Sequence, residues 1–450
     1  MFYMIQNILE LIIGAVVIFS FKPWLFLIVL VGLIPELIVE AKYSRNIWSI
    51  DAAKGEIKRR YWNLQYHFKS LSNIIELKLL NLAPNFIGKI SGLFRIFRGG
   101  EEATERKRFT RSTLAAVAST GAVGIALGWG VNQVLLGMMQ IGTLTFLFST
   151  VMDLRQSLSG LFQNLARQYK NSLYLSDTFK FLDLEPVITN THSPVVLDKN
   201  VTPEIKFENV WFGYDKDKPI LKNINLTIKA GEKLAIVGVN GAGKTTFIKL
   251  LCRFYDPTRG RILLNGKDIR EIELASWYEL LGALFQDYSR YNFIVSESIA
   301  VTVPGKKSSI EKVKEAAKSA EADIFIQEWD NNYGQMLGKE FEGGVEPSIG
   351  QWQKLALART FYRDPKIFIL DEPTSSIDAE AEAKIFDKLE ALPDDRTVIL
   401  ISHRFSTVRH AHQIIVLEDG TISEQGTHRE LVRLEGTYAR LFKLQAKGYK

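Results

Sequence analysis

One stretch decides the fold of the C-terminal half of this chain: Gly238-Val-Asn-Gly-Ala-Gly-Lys-Thr245. It follows a short apolar run at 233–237 and precedes a helical pattern at 246–254. Glycines let successive backbone N–H groups curl around phosphate oxygens without a Cβ clash, and the following helix N-terminus adds partial positive charge. This strand–loop–helix context is that of a phosphate-binding P-loop. The predicted nucleotide-binding residues here are Gly238, Val239, Asn240, Gly241, Ala242, Gly243, Lys244, Thr245 and Thr246.

A second motif supplies the chemistry that a bound triphosphate needs. The segment Lys366-Ile-Phe-Ile-Leu-Asp371-Glu372 has the pattern of a buried strand that ends in two carboxylates. Together with the P-loop, it predicts that Asp371 holds Mg²⁺ and that Glu372 polarises the water that attacks the γ-phosphate. Lys244 is expected to reach the β- and γ-phosphates, and the Thr245 hydroxyl to bind the same Mg²⁺.

A third segment, Pro347-Ser-Ile-Gly-Gln351, resembles the signature Leu-Ser-Gly-Gly-Gln of ATP-binding cassette (ABC) ATPases. Ser348, Gly350 and Gln351 match the signature, whereas Pro347 and Ile349 depart from it. The resemblance implies that Ser348 to Gln351 face the ATP bound by a partner cassette. One hypothesis for this departure is a heterodimer in which this chain contributes the weaker half of one composite site. A homodimer with slightly impaired signatures is the alternative.

The same resemblance assigns roles to further residues. Tyr214 is expected to stack on adenine, and Gln286 to lie near Mg²⁺ and the attacking water. His403 corresponds to the switch histidine that contacts the γ-phosphate. Ser375 and Asp378 correspond to the D-loop. ATP and Mg²⁺ are the implied ligands, and a second ABC half-transporter is the implied partner.

The N-terminal half has a different character from the cassette. The chain has 450 residues, is 46% hydrophobic and contains one cysteine, which excludes a disordered chain and a disulfide scaffold. Its net charge of +6 divides into +9 over residues 1–182 and −3 over residues 183–450. Four apolar runs in the first part, each near the ~20 residues that cross a bilayer, predict membrane helices. The predicted spans are 1–21, 23–42, 113–136 and 143–164.

Charge predicts the orientation of these spans. Residues 41–112 contain fifteen Lys and Arg, and the short loops between paired spans contain almost none. The positive-inside rule therefore places 41–112 and the chain after 162 in the cytoplasm. This charge is interpreted as a solvated helix face, so no nucleic-acid partner is expected. We expect two helical extensions joined by a turn near 81–85, with a coupling helix around 66–77 implied by the family.

The predicted fold is an α-helical transmembrane bundle with long cytoplasmic extensions, followed by an α/β P-loop NTPase domain. The first apolar run is assigned to a membrane helix rather than a signal peptide, because a basic n-region and a cleavage site are missing. Within the spans, Glu36 is the best candidate for a cavity-lining residue. The predicted domains are a transmembrane domain at 1–182 with a cytoplasmic loop at 43–112, a linker at 183–203 and a cassette at 204–450.

Membrane helices fused ahead of a cassette resemble the exporter-type ABC half-transporters. Members of that family usually have six spans, and the four predicted here resemble spans three to six. We favour a truncated reading frame over a second polypeptide that supplies the missing hairpin or a true four-span variant.

The expected function is ATP-driven export of a lipid, peptide or drug-like substrate by a dimer in the cell membrane. The alternatives are a membrane-anchored ABC ATPase that does not transport, a regulatory half of a heterodimer, and an importer on the same architecture.

Overall fold

The computed structural model describes residues 2–53, 55–215, 217–303 and 309–447. Contacts divide the chain into two units, Met1–Glu185 and Pro186–Lys450. The ends of the predicted ranges at Met1 and Lys450 lie outside the described residues.

The N-terminal unit is helical throughout. Its helices are α1 (Phe2–Phe21), α2 (Pro23–Ala53), α3 (Gly55–Lys69), α4 (Leu71–Leu79), α5 (Ala83–Leu135) and α6 (Ile141–Leu182). The predicted spans at 23–42 and 143–164 lie within α2 and α6, and those at 1–21 and 113–136 fall on α1 and α5 except for Met1, outside the described residues, and Leu136, the C-cap of α5. Helices α2, α5 and α6 run well beyond the apolar residues. The extensions are rich in Arg, Lys, Glu and Gln, which are good helix formers in water. The turn expected near 81–85 lies at 80–82, because α5 already begins at Ala83, with Pro84 in its first turn, where the proline ring is favoured.

Hydropathy distinguishes these helices from one another. Among the described residues, two segments are long and apolar enough to cross a membrane, Met4–Phe21 and Glu102–Leu135, and a shorter apolar segment covers Pro23–Glu36. Helix α6 is not among these segments, since Asp153 and Arg155 interrupt its apolar part. The four-span arrangement therefore stays a prediction.

Helices of this unit pack through small residues, while large apolar side chains face outward. A Cβ at Gly32 of α2 would lie 2.5 Å from Cβ of Ala122 on α5, so the glycine permits the close approach. Ile13 and Val16 of α1 are 64% and 66% exposed, as expected for a helix that lipid solvates. Glu36 is half-buried and accepts a hydrogen bond from the Ser159 hydroxyl at 3.1 Å.

The C-terminal unit contains two sheets. The antiparallel sheet has the order β2-β1-β4-β5, and the second sheet has the order β10-β9-β3-β8-β7-β6. Strands β9, β3, β8, β7 and β6 run parallel, and β10 joins antiparallel to β9. The strands are β1 (Ile205–Phe212), β2 (Leu221–Ile228), β3 (Lys233–Val237), β4 (Arg259–Leu264), β5 (Lys267–Asp268), β6 (Leu281–Leu284), β7 (Ile367–Asp371), β8 (Thr397–Ile401), β9 (Gln413–Glu418) and β10 (Thr421–Gly426).

Helices cover the parallel sheet. They are α7 (Lys244–Leu251), α8 (Leu274–Leu280), α9 (Val295–Ala300), α10 (Ile310–Ser319), α11 (Asp323–Gln327), α12 (Ile349–Arg363), α13 (Ala379–Glu390), α14 (Phe405–Val408), α15 (His428–Arg433) and α16 (Thr437–Lys447). Phe247 of α7 stacks on Phe207 of β1 with ring centroids 4.5 Å apart, which joins the P-loop helix to the antiparallel sheet. The predicted fold class, a helical region followed by an α/β cassette, is confirmed.

Sheet order decides where the polar residues meet. Strand β8 lies between β3 and β7, and Ile401 at its end is level with Ile236 of β3 and Asp371 of β7. The carboxyl ends of these parallel strands therefore open onto one edge of the sheet. Ligands of open α/β sheets bind at such an edge.

Candidate active site

The loop between β3 and α7 has the backbone geometry of a phosphate cradle. Gly241 and Gly243 have φ of +83° and +103°, a region that side chains with a Cβ rarely adopt. A Cβ at Gly243 would also lie 2.8 Å from Cδ2 of Leu221. At Gly238, a Cβ would lie 2.4 Å from the backbone oxygen of Leu417. Glycine is therefore favoured by conformation at Gly241, by space at Gly238 and by both at Gly243.

Lys244 is buried at the first position of α7. Its Nζ donates to the backbone oxygens of Gly238 at 2.7 Å and Val239 at 3.2 Å. Burial lowers the pKa of this ammonium group, and the charges of Glu372 and Asp371 act in the opposite direction. The cation is thus held against carbonyls of its own loop, where a phosphate oxygen can compete for it as a charge-assisted partner.

Thr245 and Asp371 form the part of the site that fits a metal ion. The Thr245 hydroxyl donates to Oδ2 of Asp371 at 3.4 Å. Burial and the neighbouring Glu372 raise the pKa of Asp371, while the Thr245 hydrogen bond lowers it. Gln286 lines the same cavity. Hydroxyl, carboxylate and amide oxygens are hard ligands of the kind that Mg²⁺ takes, usually one or two protein oxygens together with substrate phosphates and water.

Glu372 directly follows β7, His403 lies shortly after β8, and their side chains face each other. His403 Nε2 lies 3.1 Å from Oε1 of Glu372. Glu372 has a left-handed backbone with φ of +50°, and its N–H donates to Ile401 O at 2.9 Å. Burial lowers the pKa of His403, Lys244 lowers it further, and Glu372 opposes both. The imidazole is therefore neutral near pH 7, which makes Nε2–H the donor to the carboxylate.

These groups share one cavity of about 690 Å³ at the edge of the sheet. Its lining consists of Ile220, Asn240, Gly241, Gly243, Lys244, Thr245, Thr246, Gln286, Asp371, Glu372 and His403. Ten of these residues belong to the set predicted from sequence. The cavity is of the size that holds small-molecule ligands. Gly238, Val239 and Ala242, also predicted, belong to the same loop but do not line the cavity.

Tyr214 lies outside that lining, in an aromatic cluster. Its ring is 48% exposed and makes edge-to-face contacts with Phe212 and Tyr255, both with centroids 5.2 Å away. Lys249 Nζ lies 5.6 Å from the Tyr214 ring centroid. An exposed ring supported from behind is suited to stacking on a base. Sequence reasoning missed Tyr255, whose only signal was its place shortly after the P-loop helix.

The signature segment begins α12 through a capping box. The Ser348 hydroxyl accepts from the Gln351 backbone N–H at 3.2 Å, and the Gln351 side chain accepts from the Ser348 N–H at 2.8 Å. Pro347 precedes the N-cap, so it removes no helical hydrogen bond. This departure from the family signature therefore leaves the helix start intact.

The second departure, Ile349, points its side chain to the surface. Ile349 is 59% exposed, and its carbonyl accepts from the Tyr288 hydroxyl at 3.0 Å. Gly350 makes the close contact instead, because a Cβ there would lie 2.6 Å from the backbone oxygen of Ser376. The retained glycine thus allows α12 to lie against the segment that follows Glu372.

Gln353 makes the link between α12 and that segment, and sequence reasoning missed it. Its buried amide donates to Glu372 O at 2.9 Å and to Ser375 Oγ at 3.1 Å, and accepts from Ser376 N–H at 2.9 Å. Asp378 accepts from the Ala381 N–H at 2.9 Å and caps α13. Ser375 and Asp378 thus hold the loop between Glu372 and α13 in place. One glutamine among several near the signature gave no signal of this role.

Fold and site together define an ABC-type nucleotide-binding cassette. The sequence profile of the ABC transporter family matches residues 221–375. The chain is 30% identical over 425 residues to the subtilin transport ATP-binding protein SpaT of Bacillus subtilis, covering 94% of this chain and 69% of that protein. The chain therefore belongs to the ABC transporter family, as an exporter-type half-transporter, and its cassette is of the class that binds and hydrolyses ATP.

Other relatives point the same way. The ATP-dependent lipid A-core flippase of Escherichia coli K12 is 40% identical over 306 residues, which cover 68% of this chain and 51% of the flippase. The putative multidrug export protein YgaD of Bacillus subtilis is 37% identical over the same length, 68% of this chain and 50% of that protein. The solved structure of a bacterial Atm1-family ABC exporter with ATP bound superposes with a TM-score of 0.85 at 28% identity, covering 98% and 76% of the two chains. The chain thus spans about half to three quarters of the length of these relatives.

Proposed function

We propose that this chain is one subunit of a dimeric exporter that couples Mg²⁺-dependent ATP hydrolysis to outward movement of a substrate across the cell membrane. The observation that carries the proposal is the meeting of Lys244, Thr245, Asp371, Glu372 and His403 in one cavity. The similar proteins include a lipid A-core flippase, a subtilin transport protein and a multidrug export protein, which supports export as the direction.

In this proposal each site residue acts on a defined part of the nucleotide. The loop N–H groups and Lys244 bind the β- and γ-phosphates, and the exposed ring of Tyr214 stacks on adenine. Thr245, Asp371 and Gln286 would hold Mg²⁺, which neutralises phosphate charge when bound. Glu372 accepts a proton from the attacking water, and the neutral His403 orients that carboxylate through Nε2–H.

A second cassette completes the proposed site. Ser348, Ile349, Gly350 and Gln351 lie at the exposed start of α12, where they are available to a nucleotide bound by a partner half-transporter. Both a homodimer and a heterodimer are consistent with this geometry. The exposed side chain of Ile349 favours the heterodimer, since it adds bulk where the family usually has glycine.

The helices of the N-terminal unit form the proposed membrane domain. Their outward apolar faces fit a bilayer. Helix α3 and the N-terminal part of α5 are basic, so the positive-inside rule places them on the cytoplasmic side. We therefore propose that residues 1–182 form a membrane domain that crosses the bilayer several times, that 183–203 form a linker, and that 204–450 form an ATPase domain in the cytoplasm. The transported substrate is a lipid, a peptide or a drug-like molecule.

The test is ATP hydrolysis and transport by the full chain in lipid vesicles. Phosphate release that depends on ATP and Mg²⁺ is expected, and Lys244→Ala should abolish it. Glu380→Gln, on the exposed face of α13, is the matched control and should behave as the wild type. Movement of a fluorescent lipid, a cationic peptide or a hydrophobic dye is then measured in the same vesicles. Hydrolysis without movement of any of the three would support an ATPase that does not transport.

A further inference from the structure

Helix α13 carries a carboxylate that has no part in the proposed contacts to phosphate, metal or water. Glu382 is 6% exposed, and it sits one turn beyond the Asp378 cap. Its Oε1 accepts from the Thr374 hydroxyl at 3.1 Å, and its Oε2 pairs with the Arg404 guanidinium. A buried carboxylate is retained in a fold when its charge is paired and its oxygens are hydrogen-bonded. Glu382 meets both conditions through two partners from two different loops.

Those two partners are the neighbours of the residues that face each other in the active site. Thr374 follows Glu372 by two positions, and Arg404 directly follows His403. Glu372 and His403 are themselves in contact at 3.1 Å. The Glu382 carboxylate, which lies outside the cavity, therefore connects the loop after β7 to the loop after β8. Glu372 and His403, on these same two loops, are in contact inside the cavity.

Besides Glu382, the loop around Arg404 is held by Gln445 of α16, which accepts from the Phe405 N–H at 2.9 Å and donates to His403 O at 2.8 Å, and by bonds of Arg404 within the loop. The Arg404 backbone N–H donates to the Ser402 hydroxyl at 3.0 Å, and the Arg404 carbonyl accepts from the Thr407 hydroxyl at 2.7 Å. These contacts shape the loop but do not fix its distance from Glu372. The Glu382–Arg404 pair spans that gap through the side chains.

We infer that Glu382 is a positioning residue for ATP hydrolysis, which sets the His403 loop against the Glu372 loop by holding Arg404 and Thr374 at once. The inference rests on the proposed ATPase function. Its consequence is a separation of effects: nucleotide binding depends on the P-loop, which Glu382 does not contact in the described structure, whereas turnover depends on the Glu372–His403 contact.

The test compares Glu382→Gln with Glu380→Gln in the full chain in lipid vesicles. Glutamine keeps the shape of the side chain and its bond to Thr374 but removes the charge that pairs with Arg404. Glu380 is on the same helix and pairs with Lys384 at 2.8 Å at the surface, where such a pair contributes little. We expect Glu382→Gln to lower kcat at least tenfold with the Kd for ATP changed less than threefold, and Glu380→Gln to change neither. A kcat of Glu382→Gln within twofold of the wild type would overturn the inference.

A second variant separates positioning from stability. The Glu382 side chain is buried and that of Arg404 is 31% exposed, and replacing an ion pair that is largely removed from water by apolar residues often restores or raises stability. The double variant Glu382→Leu/Arg404→Leu should therefore recover the Tm that Glu382→Gln loses, while its kcat stays at least tenfold low. If kcat recovers together with Tm, the pair is merely structural and the inference is wrong.

A third measurement reports on the stability of the loop that contains His403 and Arg404, and it does not require ATP hydrolysis. Hydrogen exchange of the backbone amides at 402–408 should speed up in Glu382→Gln and stay unchanged in Glu380→Gln. A wild-type chain that hydrolyses no ATP would refute the proposed function alone, because the exchange at 402–408 still reports on the loop. Unchanged exchange in Glu382→Gln would refute the positioning role, whatever the wild-type activity.

Discussion

The Nε2 atom of His403 lies 3.1 Å from Oε1 of Glu372, so the histidine that follows β8 and the carboxylate that follows β7 form one hydrogen-bonded unit. Neighbouring parallel strands bring the two residues together, and the left-handed backbone of Glu372, φ +50°, turns its side chain out of the strand. Such a conformation in a residue with a Cβ is a strained feature that the surrounding fold maintains. It occurs here at the residue proposed to act on water.

The first prediction concerns Glu372 itself. Glu372→Gln keeps the hydrogen-bonding shape but cannot accept the proton of the attacking water, so kcat should fall by about 10²- to 10⁴-fold. ATP binding should persist, since the P-loop is untouched. Phosphate release and equilibrium binding of a fluorescent ATP analogue measure the two quantities. Hydrolysis near the wild-type rate in this variant would contradict the proposed role of Glu372.

The second prediction is a pH dependence that belongs to His403. Burial lowers the pKa of His403 below its ordinary value of 6.5. The neutral imidazole therefore persists at pH 7, and activity should fall as pH drops through the lowered pKa. The same sign applies to stability, because an unfolded chain takes up the proton at a higher pH than the folded chain does. The contribution of this group is full above 6.5 and is lost as pH falls through the folded-state pKa.

The pH profile of kcat in the wild type and in His403→Gln checks this expectation. Glutamine does not titrate, so the acidic limb should flatten while the overall rate falls. His428→Gln is the control, since His428 bonds to the Tyr438 hydroxyl at 2.7 Å and does not line the cavity. An unchanged acidic limb in His403→Gln would assign that limb to another group.

Sequence reasoning could find the residues of the site that stand at strand ends. Glycine spacing, the apolar run before Asp371 and the family signature each depend on local order in the chain. Gln353 and Glu382 gave no comparable signal, because their role comes from the packing of α12 and α13 against loops that are distant in sequence. Tyr255 was missed for the same reason: its contact with Tyr214 follows from the position of a turn after α7.

The helices of the N-terminal unit show a different limit of prediction from sequence: hydropathy does not locate the ends of a helix. Hydropathy locates the apolar part of a helix, but α5 begins at Ala83, thirty residues before its predicted span. Charged residues continue a helix in water without any hydropathic signal, so the ends of α2, α5 and α6 depend on helix propensity and capping. The position of Pro84 in the first turn of α5 was the local clue to its start.

The third prediction concerns metal dependence. Thr245, Asp371 and Gln286 offer oxygen ligands of the type that Mg²⁺ prefers, so removal of divalent cations with EDTA should abolish hydrolysis and added Mg²⁺ should restore it. Asp371→Asn removes the charged ligand. It should raise the Mg²⁺ concentration that gives half-maximal activity by tenfold or more.

A titration of ATPase rate against free Mg²⁺ measures that shift. Asp378→Asn is the control, because Asp378 caps α13 and lies outside the cavity lining. Equal Mg²⁺ requirements in the wild type and in Asp371→Asn would exclude Asp371 as a metal ligand.

The fourth prediction tests Gln353. Its amide bonds to Glu372 O, Ser375 Oγ and Ser376 N–H in a buried position, so Gln353→Ala leaves these groups without those bonds. The free energy of unfolding should fall by about 1–3 kcal/mol, the usual cost of unsatisfied buried polar groups. Because one of the three partners is the backbone oxygen of Glu372, kcat should fall as well, with ATP binding retained. Thermal unfolding and phosphate release are measured on the same preparations.

Gln327→Ala serves as the control for this substitution, since the Gln327 side chain is exposed and makes a local contact with Asp323. It removes the same atoms from a helix surface, so stability and kcat should both stay near the wild-type values. Gln353→Glu adds a second comparison, because it keeps the acceptor for Ser376 but loses the donor to Glu372 O. A kcat of Gln353→Ala equal to that of the wild type, together with a lower Tm, would show that the link stabilises the cassette without positioning Glu372.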